Sequence, residues 1–245
     1  MLVSHGYQFI YTKTLKTAST SVEAYFEPFC VEAGAVNLAR VREESVSAAG
    51  IVGYRGPAKP EGCRWWNHMP AAQIRDQLGQ ETWTRYFKFC VIRNPYEKAI
   101  SAFYFGRSQH KARSDSPPQN AAKDAIASAA ADAAKDAAAD AAKDAAAFEN
   151  WLITHGPPID RNKYLIDGQF CLDDVIRHES LAADLERICA KLGVPWNPNA
   201  LPQLKTGTRP KTAIAQALYT DTSRRLVEAA YEFELDYFGY QFPSA

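Results

Sequence analysis

The chain lacks the signatures of most cofactor chemistries. It has no GxxxxGK[ST] loop, which counts against an ATPase or kinase. It has no GxGxxG, which counts against a dinucleotide oxidoreductase. It has no HExxH and no CxxC pair, so no metal site is expected. Its five cysteines (Cys30, Cys63, Cys90, Cys171, Cys189) are odd in number and scattered, and Cys90 and Cys189 sit in apolar patterns. They read as buried reduced thiols. Net charge is zero, with 28 Lys plus Arg against 28 Asp plus Glu. That speaks against a general nucleic-acid or anionic-membrane binder and leaves room for one local basic pocket. There is no charged-then-apolar leader and no apolar run of about 18 residues. No membrane insertion and a cytoplasmic location are therefore expected.

What is present is an aromatic-rich globular chain. Its 245 residues, 47% of them apolar, suit one large α/β domain with a sizeable core. The chain is organised around residues 7–26, YQFIYTKTLKTASTSVEAYF. Residues 6–12 alternate and are β-rich, predicting a strand. Residues 14–21 are crowded with hydroxyls and follow Lys13 and include Lys16. Ser19 or Thr20 is the expected cap of a helix with Val22, Tyr25, Phe26 and Phe29 on one face. A strand feeding such a turn makes an anion cradle, because free amides, the positive helix end and a lysine converge. An ordinary capped βα loop is the alternative on these residues alone.

Downstream, residues 53–62 read as loop. His68 lies just before a short helix over residues 70–79, beside Trp65 and Trp66. Spacing alone leaves it open whether this imidazole is packing or catalytic. Residues 87–92, FKFCVI, form a continuous apolar run of strand length, as in a buried parallel strand. The strand would deliver Arg93 to the carboxyl edge of the sheet, where ligands bind in open α/β folds. A helix over residues 96–105 follows, with Ser101 two turns in.

Residues 107–120 read as a polar loop. Residues 121–147 are alanine-rich with a period of four, which drifts by about 40° per tetrad on a helix of 3.6 residues per turn. They read as a solvent-exposed helical insertion that docks through Phe148, Trp151 and Leu152. Residues 175–178 are a short strand, and residues 181–192 a helix stopped by Gly193-Val194-Pro195. Residues 220–238 form the last helix, with Asp221 as cap and an aromatic tail behind it.

The polar candidates are thus Lys16 and its loop, His68, Arg93 with Ser101, and a Lys/Thr/Arg loop over residues 205–209. No Asp or Glu directly follows either strand, where a magnesium ligand belongs. A metal-free pocket for a ligand with two separated anionic groups remains. KTLKTASTS resembles the 5′-phosphosulfate loop of sulfotransferases that use 3′-phosphoadenosine 5′-phosphosulfate (PAPS), roughly PKTAGTS. FCVIRNPYEKAISAFY is similar to their 3′-phosphate motif, with Ser101 eight residues after Arg93. DVIRHESLAADLERICAKLGV, LPQLKTGTRP and the closing ALYTDTSRRLVEAAYEFELDYFGYQF resemble later blocks of the bacterial and Golgi carbohydrate sulfotransferases. The usual Pro is Leu15 and the usual Gly is Ser19, and the alanine-rich insertion is foreign to the pattern.

The resemblance implies a P-loop-like parallel sheet flanked by helices. It implies a single domain over residues 1–245, interrupted by the loop and alanine-rich helix of residues 107–147. It implies in-line sulfuryl transfer from PAPS to an acceptor hydroxyl, leaving 3′,5′-bisphosphoadenosine (PAP). Lys16 and the amides of Thr17, Ala18, Ser19, Thr20 and Ser21 would bind and stabilise the phosphosulfate. Arg93 and Ser101 would hold the 3′-phosphate, and Lys205, Thr206, Gly207 and Arg209 would close over the nucleotide. His68 would be the general base, and Lys13 would belong to the strand end. The expected acceptor is a carbohydrate hydroxyl. A small secondary-metabolite alcohol is the second choice, with Trp65, Trp66, Trp83 and Tyr104 shaping its pocket. A reading of another class is a non-catalytic nucleotide-binding or scaffolding protein. The sequence does not fix the oligomeric state.

Overall fold

The computed structural model describes residues 1–114, 130–202, 204, 209, 210 and 212–244, with side chains for all of these except 109–114 and 130–141. In chain order the elements begin with β1 (Leu2–Ser4), β2 (Phe9–Thr12), α1 (Ser19–Phe26), β3 (Ser45–Val46) and β4 (Gly50–Val52). Then come α2 (Ala71–Leu78), α3 (Gln80–Arg85), β5 (Phe87–Ile92), α4 (Pro95–Ser114) and α5 (Ala130–His155). The rest are β6 (Leu165–Ile166), β7 (Gln169–Phe170), β8 (Asp174–Arg177), α6 (Leu181–Leu192), α7 (Ala215–Leu218), α8 (Asp221–Ala230) and α9 (Glu232–Phe238). The described chain divides into two compact units, residues 1–93 with 160–205 and residues 94–159 with 206–245.

The first unit holds a six-stranded sheet in the order β3-β4-β1-β2-β5-β8. Its β2-β5-β8 half is parallel, as the sequence reading expects of the sheet. Its other half, β1, β4 and β3, is antiparallel. The strand expected over residues 6–12 is shorter and has a partner. β2 starts at Phe9, and residues 5–8 turn the chain back from β1. All four β2 residues are buried, so both faces are covered and alternation is no guide to its ends. Helix α1 packs Val22, Tyr25 and Phe26 against Phe9 and Phe89 of the strands and Leu185 and Ile188 of α6. Helix α6 stops where Gly193 turns left-handed at φ +67°.

The second unit is helical. Phe103 of α4, Phe148 and Leu152 of α5, Tyr219, Val227 and Tyr231 share one core. The docking end expected of the alanine-rich segment is therefore real, and residues 121–129 of that segment lie outside the described residues. Residues 107–114, expected as loop, continue α4 as helix. The helix expected over residues 220–238 breaks at Tyr231 into α8 and α9. Thr220, not Asp221, caps it: the Thr220 hydroxyl accepts from the Ser223 amide while the Ser223 hydroxyl accepts from the Thr220 amide. Among the described residues, no helix is long and apolar enough to cross a membrane.

Candidate active site

The loop between β2 and α1 is built by its own hydroxyls. Thr14 Oγ1 donates to Val91 O at 2.5 Å and lies 2.8 Å from Thr17 Oγ1. Ser19 Oγ donates back to Thr14 O at 2.7 Å. Ser21 Oγ accepts from the Leu204 amide at 3.1 Å. The expectation that Ser19 or Thr20 caps α1 is therefore corrected. Ala18 is the N-cap, at φ 57° and ψ 17°, and no side chain caps the helix. The Ser19 hydroxyl is drawn to the carbonyl of Thr14, because closing the loop uses it before the helix amides can.

Two non-glycine residues of this loop have left-handed backbone, Lys16 at φ 59° and Ala18 at φ 57°. Such conformations cost about 1–2 kcal/mol each and persist where the surroundings enforce them. Left-handed residues alternating with others turn successive amides toward one concavity, the geometry of an anion nest. The Ser21 amide is engaged with Ala18 O at 2.9 Å, so the nest is limited to the amides ahead of it. Ser19, where the resembled pattern has Gly, is not among the left-handed positions.

Among the described residues, three distant side chains hold the loop backbone. Arg93, directly after β5, donates from Nη1 to Lys16 O at 3.2 Å. The parallel register of β2 and β5, Thr12 opposite Cys90, puts these two strand ends side by side. His68 places Nδ1 3.0 Å from Lys13 O. A carbonyl only accepts, so Nδ1 carries the hydrogen and Nε2 the lone pair. Burial, and then the Lys13 ammonium, push the imidazole down to about 3, which keeps it neutral at physiological pH. His68 itself sits at φ 59°. Asp160 accepts the Leu15 amide on Oδ2 at 2.5 Å.

Beneath the loop lies a buried ion network that the sequence did not announce. Lys13, 2% exposed, pairs with Glu23 of α1. Arg42 bonds both Glu23, at 2.8 Å, and Glu27, and Arg55 lies 3.2 Å from each carboxylate. Burial pushes Glu23 up, but Lys13 first among the cations reverses this and holds it at about 2. The hard-to-read residues 30–63 are thus the segment that carries Arg42 and Arg55 to α1.

Of the residues expected at the site, the first unit brings together Lys16, Thr17, Ala18, Ser19, Thr20, Ser21, His68 and Arg93. Ser101 lies on α4 in the second unit. There Arg209 closes its guanidinium on both oxygens of Glu97. Lys205, Thr206 and Gly207 lie outside the described residues. Trp65 and Trp83, expected as pocket walls, are buried in the core, and Trp66 is half-buried with Lys59 4.5 Å over its ring. Asp160 and the Arg42–Arg55 network escaped the sequence reading. Neither sits in a motif, and the only signal was an Asp in the turn-rich stretch after Gly156.

The loop that carries Lys16 follows parallel strand β2 at the carboxyl edge of the sheet, where open α/β folds bind their ligands. The family model described as Sulfotransferase family matches residues 1–241, and the chain belongs to that family. Sulfuryl transfer is the activity of the family. No curated protein and no solved structure matches the chain.

Proposed function

We propose that this sulfotransferase takes the sulfuryl group from PAPS and delivers it to a carbohydrate hydroxyl, with His68 as general base. The observation that carries the reading is the convergence of His68 and Arg93 on the backbone of the Lys16 loop, at Lys13 O and Lys16 O. PAPS supplies the sulfuryl group and a phosphate leaving group. Lys16 and the amides of Thr17, Ala18, Ser19 and Thr20 receive the anionic group and stabilise charge on the leaving oxygen. Arg93 and Ser101 hold the 3′-phosphate, Arg93 through its fork. Lys205, Thr206, Gly207 and Arg209 close over the nucleotide, Arg209 sharing its fork with Glu97. His68 Nε2, bearing the lone pair, takes the acceptor proton as the new S–O bond forms and the bond to the leaving phosphate breaks. Burial lowers the basicity of this imidazole but keeps it unprotonated and ready to accept.

The test is transfer of labelled sulfate from PAPS to a panel of carbohydrate and small-alcohol acceptors, alongside a thermal shift with PAP. Transfer to a carbohydrate supports the proposal. Transfer confined to small alcohols replaces the acceptor class. A shift without transfer to any acceptor favours a binding protein, and no shift with PAP defeats both readings.

A further inference from the structure

Asp160 stands at the N-cap position of a 3-10 turn, Arg161–Lys163, and makes no side-chain cap to that turn. An aspartate there ordinarily accepts from its own first amides. Its carboxylate reaches instead to the Leu15 amide, 145 residues away in the chain, while Asp160 is only 4% exposed. Leu15 immediately precedes Lys16, whose backbone is left-handed. The Lys16 carbonyl is held from the other side by Arg93. The peptides before Leu15 and after Lys16 are therefore pinned by side chains from separate segments, a carboxylate on the Leu15 N–H and a guanidinium on the Lys16 C=O, so that the Leu15–Lys16 pair with its left-handed residue is held at both ends.

From this we infer that Asp160 is a positioning residue for sulfuryl transfer. By accepting the Leu15 amide it fixes the strained Lys16 backbone and so aims the Lys16 side chain and the amides that follow. The inference rests on the reading of this loop as the donor's anion site. A second feature favours the role. A buried carboxylate beside an anion site repels the ligand unless it is turned to a donor, and this one is turned to the loop's own amide. In the resembled pattern proline occupies the place of Leu15. Proline has no N–H and needs no acceptor, so the clamp replaces a rigid residue with a hydrogen bond.

The experiment compares wild type, Asp160→Asn, Asp160→Ala, Leu15→Pro and the Leu15→Pro/Asp160→Ala double variant. Each is measured for kcat and KM toward PAPS, PAP affinity and thermal midpoint. Asp160→Ala is expected to lower kcat/KM for PAPS roughly 10- to 100-fold, the scale of a misplacement near 1 Å, and to weaken PAP in step. Asp160→Asn keeps an acceptor oxygen and should stay within about threefold of wild type, the range expected of a retained neutral hydrogen bond. In the Leu15→Pro background, which has no amide to clamp, Asp160→Ala should change PAPS kinetics little, giving a coupling close to the whole single-variant effect. A purely structural role would lower the active fraction, reducing kcat with KM for PAPS and PAP affinity unchanged, and that outcome overturns the inference. So does an Asp160→Ala enzyme with wild-type constants, or an Asp160→Asn enzyme as impaired as the alanine variant. If wild type neither binds PAP nor transfers sulfate, the donor-site reading itself has failed; if wild type does both and Asp160→Ala matches it, only the clamp has.

Discussion

Lys13 and Lys16 are three residues apart and opposite in use. Lys13 directly follows β2, is almost wholly buried, and is neutralised by Glu23 within a network of three cations (Lys13, Arg42, Arg55) and two carboxylates (Glu23, Glu27). Lys16 sits half-buried on a left-handed turn in the loop ahead of α1. One charge is enclosed and fastens α1 to the segment around it; the other sits half-buried on the loop that the proposed function assigns to the donor. The helix joins both regions, its N-terminus at the loop and its Glu23 and C-cap Glu27, one turn apart, in the network. Charge in this molecule is therefore partitioned by burial, not by sequence neighbourhood.

The largest expected effect tests the enclosed half. Glu23→Gln leaves three buried cations facing Glu27 alone and should cost about 3–5 kcal/mol of stability, read as a fall in the denaturation midpoint. Lys13→Met should be milder, because two arginines still face two carboxylates. Equal stability of Glu23→Gln and wild type would break the comparison. The pH dependence carries the same sign. Glu23 is held at about 2, below its unfolded value near 4.3, so its stabilisation is full above that value and is lost as pH falls toward 2.

His68 links the two halves, since its Nδ1 is on the Lys13 carbonyl. His68→Gln should lower kcat roughly 10²- to 10⁴-fold while PAP affinity stays near wild type. Its folded value of about 3 lies below the unfolded 6.5, so the unfolded chain binds the extra proton between them. Stability linked to His68 is complete above about pH 6.5 and is lost as pH falls toward 3, and His68→Gln should flatten that slope. The same depression predicts no His68 limb near pH 6.5 in kcat/KM. Next in size, Lys16→Ala should lower kcat roughly 10²- to 10³-fold, as loss of one donor to a developing oxyanion does, with little change in midpoint. A Lys16→Ala enzyme that fails to fold while Lys13→Met folds and turns over would reverse the assignment of the two lysines.

The parts of this pattern legible in the sequence are those written in local order. Residues 87–92 read as a strand because burial on both faces leaves a continuous apolar run, and β5 spans Phe87–Ile92. The helix ending at Gly193 was legible from its amphipathic spacing and its stop. Lys16 and Arg93 were picked out by motif and His68 by its place between the two motifs, and the loop contacts of His68 and Arg93 gather them. Pairings across long separations were not legible. Nothing near Arg42 or Arg55 shows that they face α1, and nothing near Asp160 shows that it meets Leu15. The hydroxyls of residues 14–21 were visible, but their task was not: they advertise capping by composition, whereas tertiary closure turns Thr14 and Ser19 to carbonyls.

The smallest effect asks whether the loop's shape, apart from its charge, is held under strain. Ala18 is a cap without a side-chain hydrogen bond, at φ 57°, where an L side chain is disfavoured. Glycine adopts that region freely, so Ala18→Gly relieves about 1 kcal/mol in the folded state and gives part of it back through the looser unfolded chain. The net expectation is a rise of at most about 2–4 °C in midpoint. Activity should move the other way by a small factor, because a residue free to leave the left-handed region holds the amides of Ser19 and Thr20 less firmly. Parallel measurement of midpoint and kcat decides the point. If glycine raises both, the left-handed turn is a tolerated defect; if it raises the midpoint and lowers kcat, the strain at Ala18 is part of how the open half of this charge pair is kept in place.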